Sequence, residues 1–322
     1  MKHSLNDAEA PVAADDDLGA LKRAVISFVR RASTEISPHD GNLLDQLARR
    51  LPARMPVYVA HTPKSSLEEV VRVAIRVQSV GFTASPHIVA RRLPSEQALR
   101  DVLARLHDHG IEQVLLVAGD LDHPMGPFES TLQVIATGAL EESGLKRLGV
   151  AGHPEGHPTV APAQLLSALR AKQEFAVRTG IAVHIVTQFG FNPEAVCAWE
   201  RMITAEGITL PVHVGLAGPT SPARLLKFAI QCGIGNSMRL AKNLGAAAGL
   251  AGLSAGADEM LLGLIRGCTQ QAGSRLAQPH VYSFGGALAT ADWLRAAMEG
   301  DFELAADGRT FSTSRVQSVT NQ

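Results

Sequence analysis

The chain has 322 residues, of which 46% are hydrophobic and 19% charged, with a formal net charge of -1 at pH 7. That length suits either one large α/β barrel or two ordinary domains, and the apolar fraction is enough for a sizeable core. A near-neutral balance provides no basic field for a phosphate backbone, so nucleic acid is excluded as the expected partner and a small molecule is favoured.

The opening MKHSLNDAEAPVAADDD is polar and acidic, without the charged-then-apolar pattern of a signal peptide. Residues 1–17 are therefore expected to be a disordered N-terminal segment. No run of about 18 apolar residues occurs anywhere, which predicts a chain that neither spans a membrane nor is exported. Leu18, Leu21, Val25, Ile26 and Val29 then recur at helical spacing and predict an N-terminal amphipathic helix.

After this helix the pattern alternates. Short apolar or β-branched runs bounded by turn residues predict strands at 33–36, 56–60, 83–89, 113–118, 147–151, 182–187, 211–214 and 280–284. Helical stretches are predicted between them at 41–51, 66–79, 94–109, 128–143, 162–179, 193–205, 221–273 (several helices) and 287–299. Eight strands alternating with helices predict a single-domain (β/α)8 TIM barrel over residues 18–304, with a doubly wound open sheet as the rival arrangement. The Gly-rich segment GAAAGLAGLSAGADE follows no convincing strand and has no GxGxxG spacing, so it reads as a close helix contact rather than a phosphate loop. Residues 305–322 read as a polar C-terminal tail. Cys197, Cys232 and Cys268 are odd in number and far apart, which predicts no disulfide framework and no zinc site, and fits a reducing cytoplasm.

A barrel carries its chemistry at the C-terminal ends of its strands. Those ends hold Glu35-Ile36-Ser37-Pro38 after the first, His61 after the second, His87 in the third, Gly119-Asp120 after the fourth, and Thr187-Gln188 after the sixth. The fifth ends in Gly152-His153-Pro154-Glu155-Gly156-His157-Pro158. An acid is depleted within a strand unless a site needs it, so Glu35 is the candidate general acid; the plainer alternative is an ion pair with a neighbouring Lys or Arg. Asp120 by itself reads as a turn former or helix cap, and Gln188 as either a cap or a reader of a heterocycle edge. The two histidines of GHPEGHP lie at zincin spacing, but Pro154, Gly156 and Pro158 forbid the helix that a zincin needs, and no metal is expected.

In order, Glu-x-Ser-Pro, Ser-Pro-His, Ala-Gly-Asp, His-Pro-Glu-Gly-His-Pro, the Lys172 helix and Thr-Gln-Phe-Gly-Phe resemble the methylenetetrahydrofolate reductase family over about residues 32–290. The combination of HPEGHP with TQFGFN about 30 residues later is the specific part. The resemblance implies a barrel with FAD across its C-terminal mouth, NAD(P)H as electron donor, and interconversion of 5,10-methylenetetrahydrofolate and 5-methyltetrahydrofolate. It implies that Glu35 protonates a folate nitrogen, that Asp120 contacts both folate and flavin, and that Gln188 binds folate. His87, His153, His157 and Lys172 match flavin-binding positions, with His61 and Gly119 beside the same cofactor.

Five features depart from the family pattern: Ala118 stands where Arg is frequent, His153 where Tyr is frequent, apolar Leu165 where an acid is expected, GLAGPTSP after the seventh strand holds no aromatic residue to stack on nicotinamide, and Gly286 stands where a basic side chain follows the eighth. Two readings therefore stay open. One is a flavoenzyme of a short, divergent type, with the methyl-oxidising direction open to it. The other is a tetrahydrofolate-binding protein that has lost FAD or NAD(P)H use. Apolar helices on a barrel exterior leave a homo-oligomer open as well.

Overall fold

The computed structural model describes residues 15–220, Leu225 and residues 257–313. Eight parallel strands close into a barrel: β1 (Ser33–Ile36), β2 (Pro56–Val59), β3 (Thr83–Val89), β4 (Gln113–Val117), β5 (Arg147–Gly152), β6 (Ala182–Phe189), β7 (Val212–Ala217) and β8 (Leu276–Tyr282). Closure is explicit in the register, because β1 pairs in parallel with both β2 and β8. An open doubly wound sheet has two edges and is excluded.

The helices follow in order: α1 (Asp15–Val29), α2 (Leu44–Ala48), α3 (Leu67–Ser79), α4 (Glu96–Asp108), α5 (Thr131–Ala136), α6 (Ala139–Glu142), α7 (Pro162–Thr179), α8 (Pro193–Ala205), α9 (Ala257–Leu264) and α10 (Ala287–Glu299). Their starts are written locally. The Ser66 hydroxyl accepts from Glu69 N–H at 3.2 Å while Glu69 Oε2 accepts from Ser66 N–H at 2.7 Å, a reciprocal capping box at α3. Asn192 Oδ1 accepts from Ala195 N–H at 3.0 Å ahead of Pro193 at the start of α8, where a missing N–H costs nothing. Gly180 ends α7 in the left-handed region at φ 73°.

Outward-facing strand residues such as Val57, Val59, Ile88, Val114, Leu116, Leu148 and Val150 pack beneath Val70, Val77, Leu99, Leu106 and Phe175 of the helices. This sheet-to-helix shell is the main hydrophobic core. Truncating a residue such as the fully buried Leu116 to Ala removes about 2–5 kcal/mol of stability.

Several boundaries differ from the periodicity. The predicted helix at 128–143 is two short helices, because Gly138 turns the chain into the left-handed region at φ 75°. The segment at 41–51 begins as a 3-10 turn over Pro38–Leu43, held by Ser37 N–H donating to Asp40 Oδ2 at 2.9 Å. β8 starts four residues before its apolar run, since Gln278 and His280 are polar yet belong to the strand. Beyond α10, β9 (Glu303–Leu304) and β10 (Phe311–Ser312) pair antiparallel, and Phe311 packs on Trp293 and Phe302. Most of the Gly-rich segment and of the predicted 221–273 helices, Cys232, residues 1–14 and residues 314–322 lie outside the described residues.

The expectation of no disulfide is corrected. Cys197 on α8 and Cys268 in the π turn after α9 are bonded, with Cα atoms 5.7 Å apart across 71 residues of sequence. Helices α8 and α9 pack side by side, and distance along the chain does not reveal that neighbourhood. No helix among the described residues is long and apolar enough to cross a membrane.

Candidate active site

Barrel closure delivers the strand-end residues to one mouth. Glu35 lies level with Tyr58 on β2 and Tyr282 on β8 by strand register, and its side chain is 18% exposed. Its Oε2 is 3.2 Å from His87 Nε2, a close contact that lacks the alignment of a straight hydrogen bond. The partner of Glu35 is thus an imidazole from β3 and not the Lys or Arg of the plainer reading. A carboxylate in contact with an imidazole, and still open to the mouth, is equipped to exchange a proton with a ligand above it.

A second group sits over β2 to β4. Asp120 is 62% exposed, and its Oδ1 accepts from the Arg92 guanidinium at 3.0 Å. Arg92 is itself buried, donates to the Thr62 carbonyl at 2.6 Å, and keeps its Nε without a partner among the described residues. His61 stands beside them with Nε2 3.1 Å from the Ser65 carbonyl and Nδ1 unpaired among the described residues. Burial, reinforced by the Arg92 cation, pushes His61 down to about 4, so it is a neutral donor or acceptor at pH 7. Gly119 has φ 96°, and a Cβ there would fall 2.4 Å from Val89 Cγ1, so no other residue fits this turn.

The third group is the GHPEGHP loop. His153 and His157 meet edge to face with ring centroids 5.0 Å apart, and Thr159 N–H donates to His157 Nδ1 at 3.2 Å. Burial lowers both imidazoles, His153 to about 4 with further lowering from His157 and Lys172. A Cβ on Gly190 would lie 3.0 Å from Glu155 Oε1, which puts Glu155 against the end of β6 and ties the loop to it. Gln188 borders the same pocket, with its Oε1 accepting from Phe189 N–H at 3.1 Å.

Below the loop, a cavity of about 210 Å³ opens between β5, α7 and α8. Lys172 lies in its wall, only 6% exposed, with the remaining lining mostly apolar: Leu165, Leu166, Leu169, Trp199 and Met202. Burial lowers Lys172 to about 8, and its ammonium makes no hydrogen bond to a described residue. A buried cation without a partner among the described residues, set beside apolar walls, fits an anionic oxygen on an otherwise apolar group.

Sequence reasoning assigned Glu35 and His87 to one mouth, and the structure places them in contact; His153 and His157 lie together on one loop, with Gln188 beside them and Lys172 in the cavity below. That reasoning missed Arg92, which reads as an ordinary helix-end base in ARRLPSE. It also found no aromatic face after β7. The structure supplies one from β6 and β8, where Phe189 packs against Phe191, Tyr282 and Phe284 at centroid distances of 5.9, 5.7 and 4.8 Å. Among the described residues no cluster of three or more His, Cys, Asp or Glu is arranged to hold a metal ion.

Fold and geometry together define a parallel (β/α)8 barrel whose C-terminal mouth gathers the candidate site. Residues 33–246 match the methylenetetrahydrofolate reductase family model, more than half of the chain, and the chain belongs to that family. Among solved structures it is similar to an uncharacterized protein from Clostridium thermocellum that binds two copies of 5-methyl-5,6,7,8-tetrahydrofolic acid. The two are 12% identical with a TM-score of 0.55, covering 86% of this chain and 99% of the other, and they share the barrel fold. Dihydropteroate synthase from Thermus thermophilus matches at 16% identity and a TM-score of 0.44, over 82% of this chain and 91% of that one.

Proposed function

We propose that the protein interconverts 5,10-methylenetetrahydrofolate and 5-methyltetrahydrofolate in the cytoplasm, with FAD as hydride carrier and NAD(P)H as its electron source in the reductive direction. The observation that carries this reading is Glu35 in contact with His87 at the open centre of the mouth. The family match and the folate bound by the Clostridium thermocellum protein support the substrate class.

The site residues fit a flavin dinucleotide at defined points. Lys172 offers the phosphate group a buried cation with no partner among the described residues, the cavity beside it offers apolar surface, and Gly119 keeps its turn free of a side chain. His87, His153, His157 and His61 would border the same group. When bound, FAD supplies hydride chemistry that no amino-acid side chain provides.

The chain's own contribution is acid catalysis and orientation. Glu35 donates a proton to the folate nitrogen that leaves the methylene bridge, and the resulting iminium carbon is then able to accept hydride. His87 positions the carboxylate, and Arg92 holds Asp120 by one oxygen so that its other oxygen faces ligand. Gln188 presents a carboxamide to the heterocycle edge from the end of β6. In the methyl-oxidising direction the same carboxylate receives the proton back.

One observation favours a second reading. Apart from Lys172 the cavity wall carries Leu165 and Ala168, and Ala118 adds no cation, so among the described residues this wall offers a dinucleotide phosphate a single positive charge. That is the wall of a folate-binding protein without redox chemistry. Anaerobic mixing separates the two. Protein incubated with FAD and desalted should stay yellow and should bleach when 5-methyltetrahydrofolate is added; a colourless protein that still binds the folate establishes the second reading.

A further inference from the structure

Barrel interiors are ordinarily filled by layers of branched apolar side chains. Beneath Glu35 this one sets imidazole, phenol and hydroxyl groups beside Leu115 and Val186. The Tyr58 hydroxyl from β2 is 2.9 Å from His184 Nε2 on β6, and His184 stacks on His213 of β7 with centroids 4.1 Å apart. The Tyr58 ring meets His280 of β8 edge to face at 4.6 Å, and His280 Nδ1 is 2.9 Å from the Ser33 hydroxyl of β1. Ser85 of β3 lies close enough to the Tyr58 hydroxyl to offset part of the rise that burial imposes on the phenol, but its Oγ makes no aligned hydrogen bond to a described residue.

The column has two ends. At the top, His87 touches Glu35, and the Glu35 charge is felt by His280. At the bottom, Arg147, exposed at the start of β5, acts on Tyr58, His184 and His213. Tyr58, Ser33, Ser85 and His280 are fully buried and His184 is 6% exposed. Yet His213 Nδ1, Gln278 Nε2 and His280 Nε2 have no partner among the described residues. Buried polar atoms in a native interior are satisfied, so each of these nitrogens calls for an ordered water.

We propose that this column is a proton path that reloads Glu35 from solvent at the N-terminal end of the barrel, through waters seated on the orphaned nitrogens. The inference rests on Glu35 being the acid of the proposed reaction. Reduction of the methylene bridge takes one proton from Glu35 per turnover, and a folate seated in the mouth covers the carboxylate from above. The replacement proton then has to arrive from below. Neutral imidazole suits that task, since one ring nitrogen accepts while the other donates. Burial keeps His184, His213 and His280 neutral, at about 3, 2 and 4. One proton enters from water near Arg147, one leaves at Glu35, and no group in the column changes its net charge after a full cycle.

Tyr58→Phe removes the hydroxyl that pairs with His184 and lies near Ser85 while keeping the ring. In protein carrying reduced flavin, its first turnover should match wild type, because reloading follows the first proton transfer. Steady-state turnover should fall by about tenfold or more with a larger solvent deuterium isotope effect. Ser85→Ala, a smaller change, should show the same split and carries the test if Tyr58→Phe does not fold. Unchanged steady-state rates and isotope effects in both variants would overturn the proposal, as would an equal loss in the first turnover. A crystal structure that resolves ordered water should show it at His213, Gln278 and His280; a dry interior also sinks the idea. If Glu35→Gln keeps full folate turnover, the reading of Glu35 has failed, and that result is distinct from failure of the column.

Discussion

Lys172 shows how one residue carries two readings until its surroundings are known. On the sequence it is a basic residue in an amphipathic helix, which usually means a solvated cation. In the structure it is buried, faces a cavity, and is lowered to about 8 by burial. At pH 7 it is charged, and an anion bound beside it would stabilise that charge; above pH 8 it loses the proton and the attraction. Titration calorimetry with FAD should therefore show affinity nearly constant from pH 6 to 7.5 and falling about tenfold for each pH unit above 8. Lys172→Met should bind weakly and without this pH dependence. A steep dependence surviving in the variant would assign it to another group.

At the scale of elements, the α8 and α9 pair decides what the cysteines do. Cys197 and Cys268 are 3% and 1% exposed, and their bond closes a long loop between two helices of the barrel's outer layer. Constraining the unfolded chain in this way contributes about 2–4 kcal/mol. Protein purified without reductant and alkylated under denaturing conditions should carry a single label, on Cys232, and three labels after reduction. Thermal unfolding with dithiothreitol should occur at lower temperature than without it. Three labels before reduction would show that the pair is reduced in the cell, as a cytoplasmic setting predicts for an ordinary thiol pair.

Other elements were legible for a simple reason. Strands such as Val57, Val59 or Val114, Leu116 bury their outward faces under helices, so apolar periodicity marks them. β8 was marked too late, because polar Gln278 and then Pro279 interrupt the apolar run that begins at Leu276. The split at Gly138 likewise depends on a single left-handed residue inside an otherwise helical pattern.

Across the whole molecule, the interior histidines couple folding to pH. His184, His213 and His280 are lowered to about 3, 2 and 4 mainly by burial, against 6.5 for a free imidazole. The unfolded chain therefore binds more protons below pH 6.5 than the native one. Their sign is that of a group with a depressed folded value: stability is complete above 6.5 and is lost as pH falls from 6.5 toward 4. By pH 5 each buried imidazole costs on the order of 2 kcal/mol, a large share of a domain's total stability. Urea midpoints should be flat from pH 7 to 8 and drop steeply between 6.5 and 5. A midpoint unchanged at pH 5 would mean that the three imidazoles are not buried as described.

Alternation of eight apolar runs with helical stretches was enough by itself to determine an α/β chain and to favour the barrel over an open sheet, and the ordered motifs around Glu35, Asp120, HPEGHP and Gln188 were enough to point to its family. These are local patterns, and local patterns survive in one dimension. The partner of Glu35, the hold of Arg92 on Asp120, the Cys197 to Cys268 bond and the polar column beneath the mouth were decided only by tertiary structure. Each joins residues from strands or helices distant in the chain, and only closure of the barrel sets those distances.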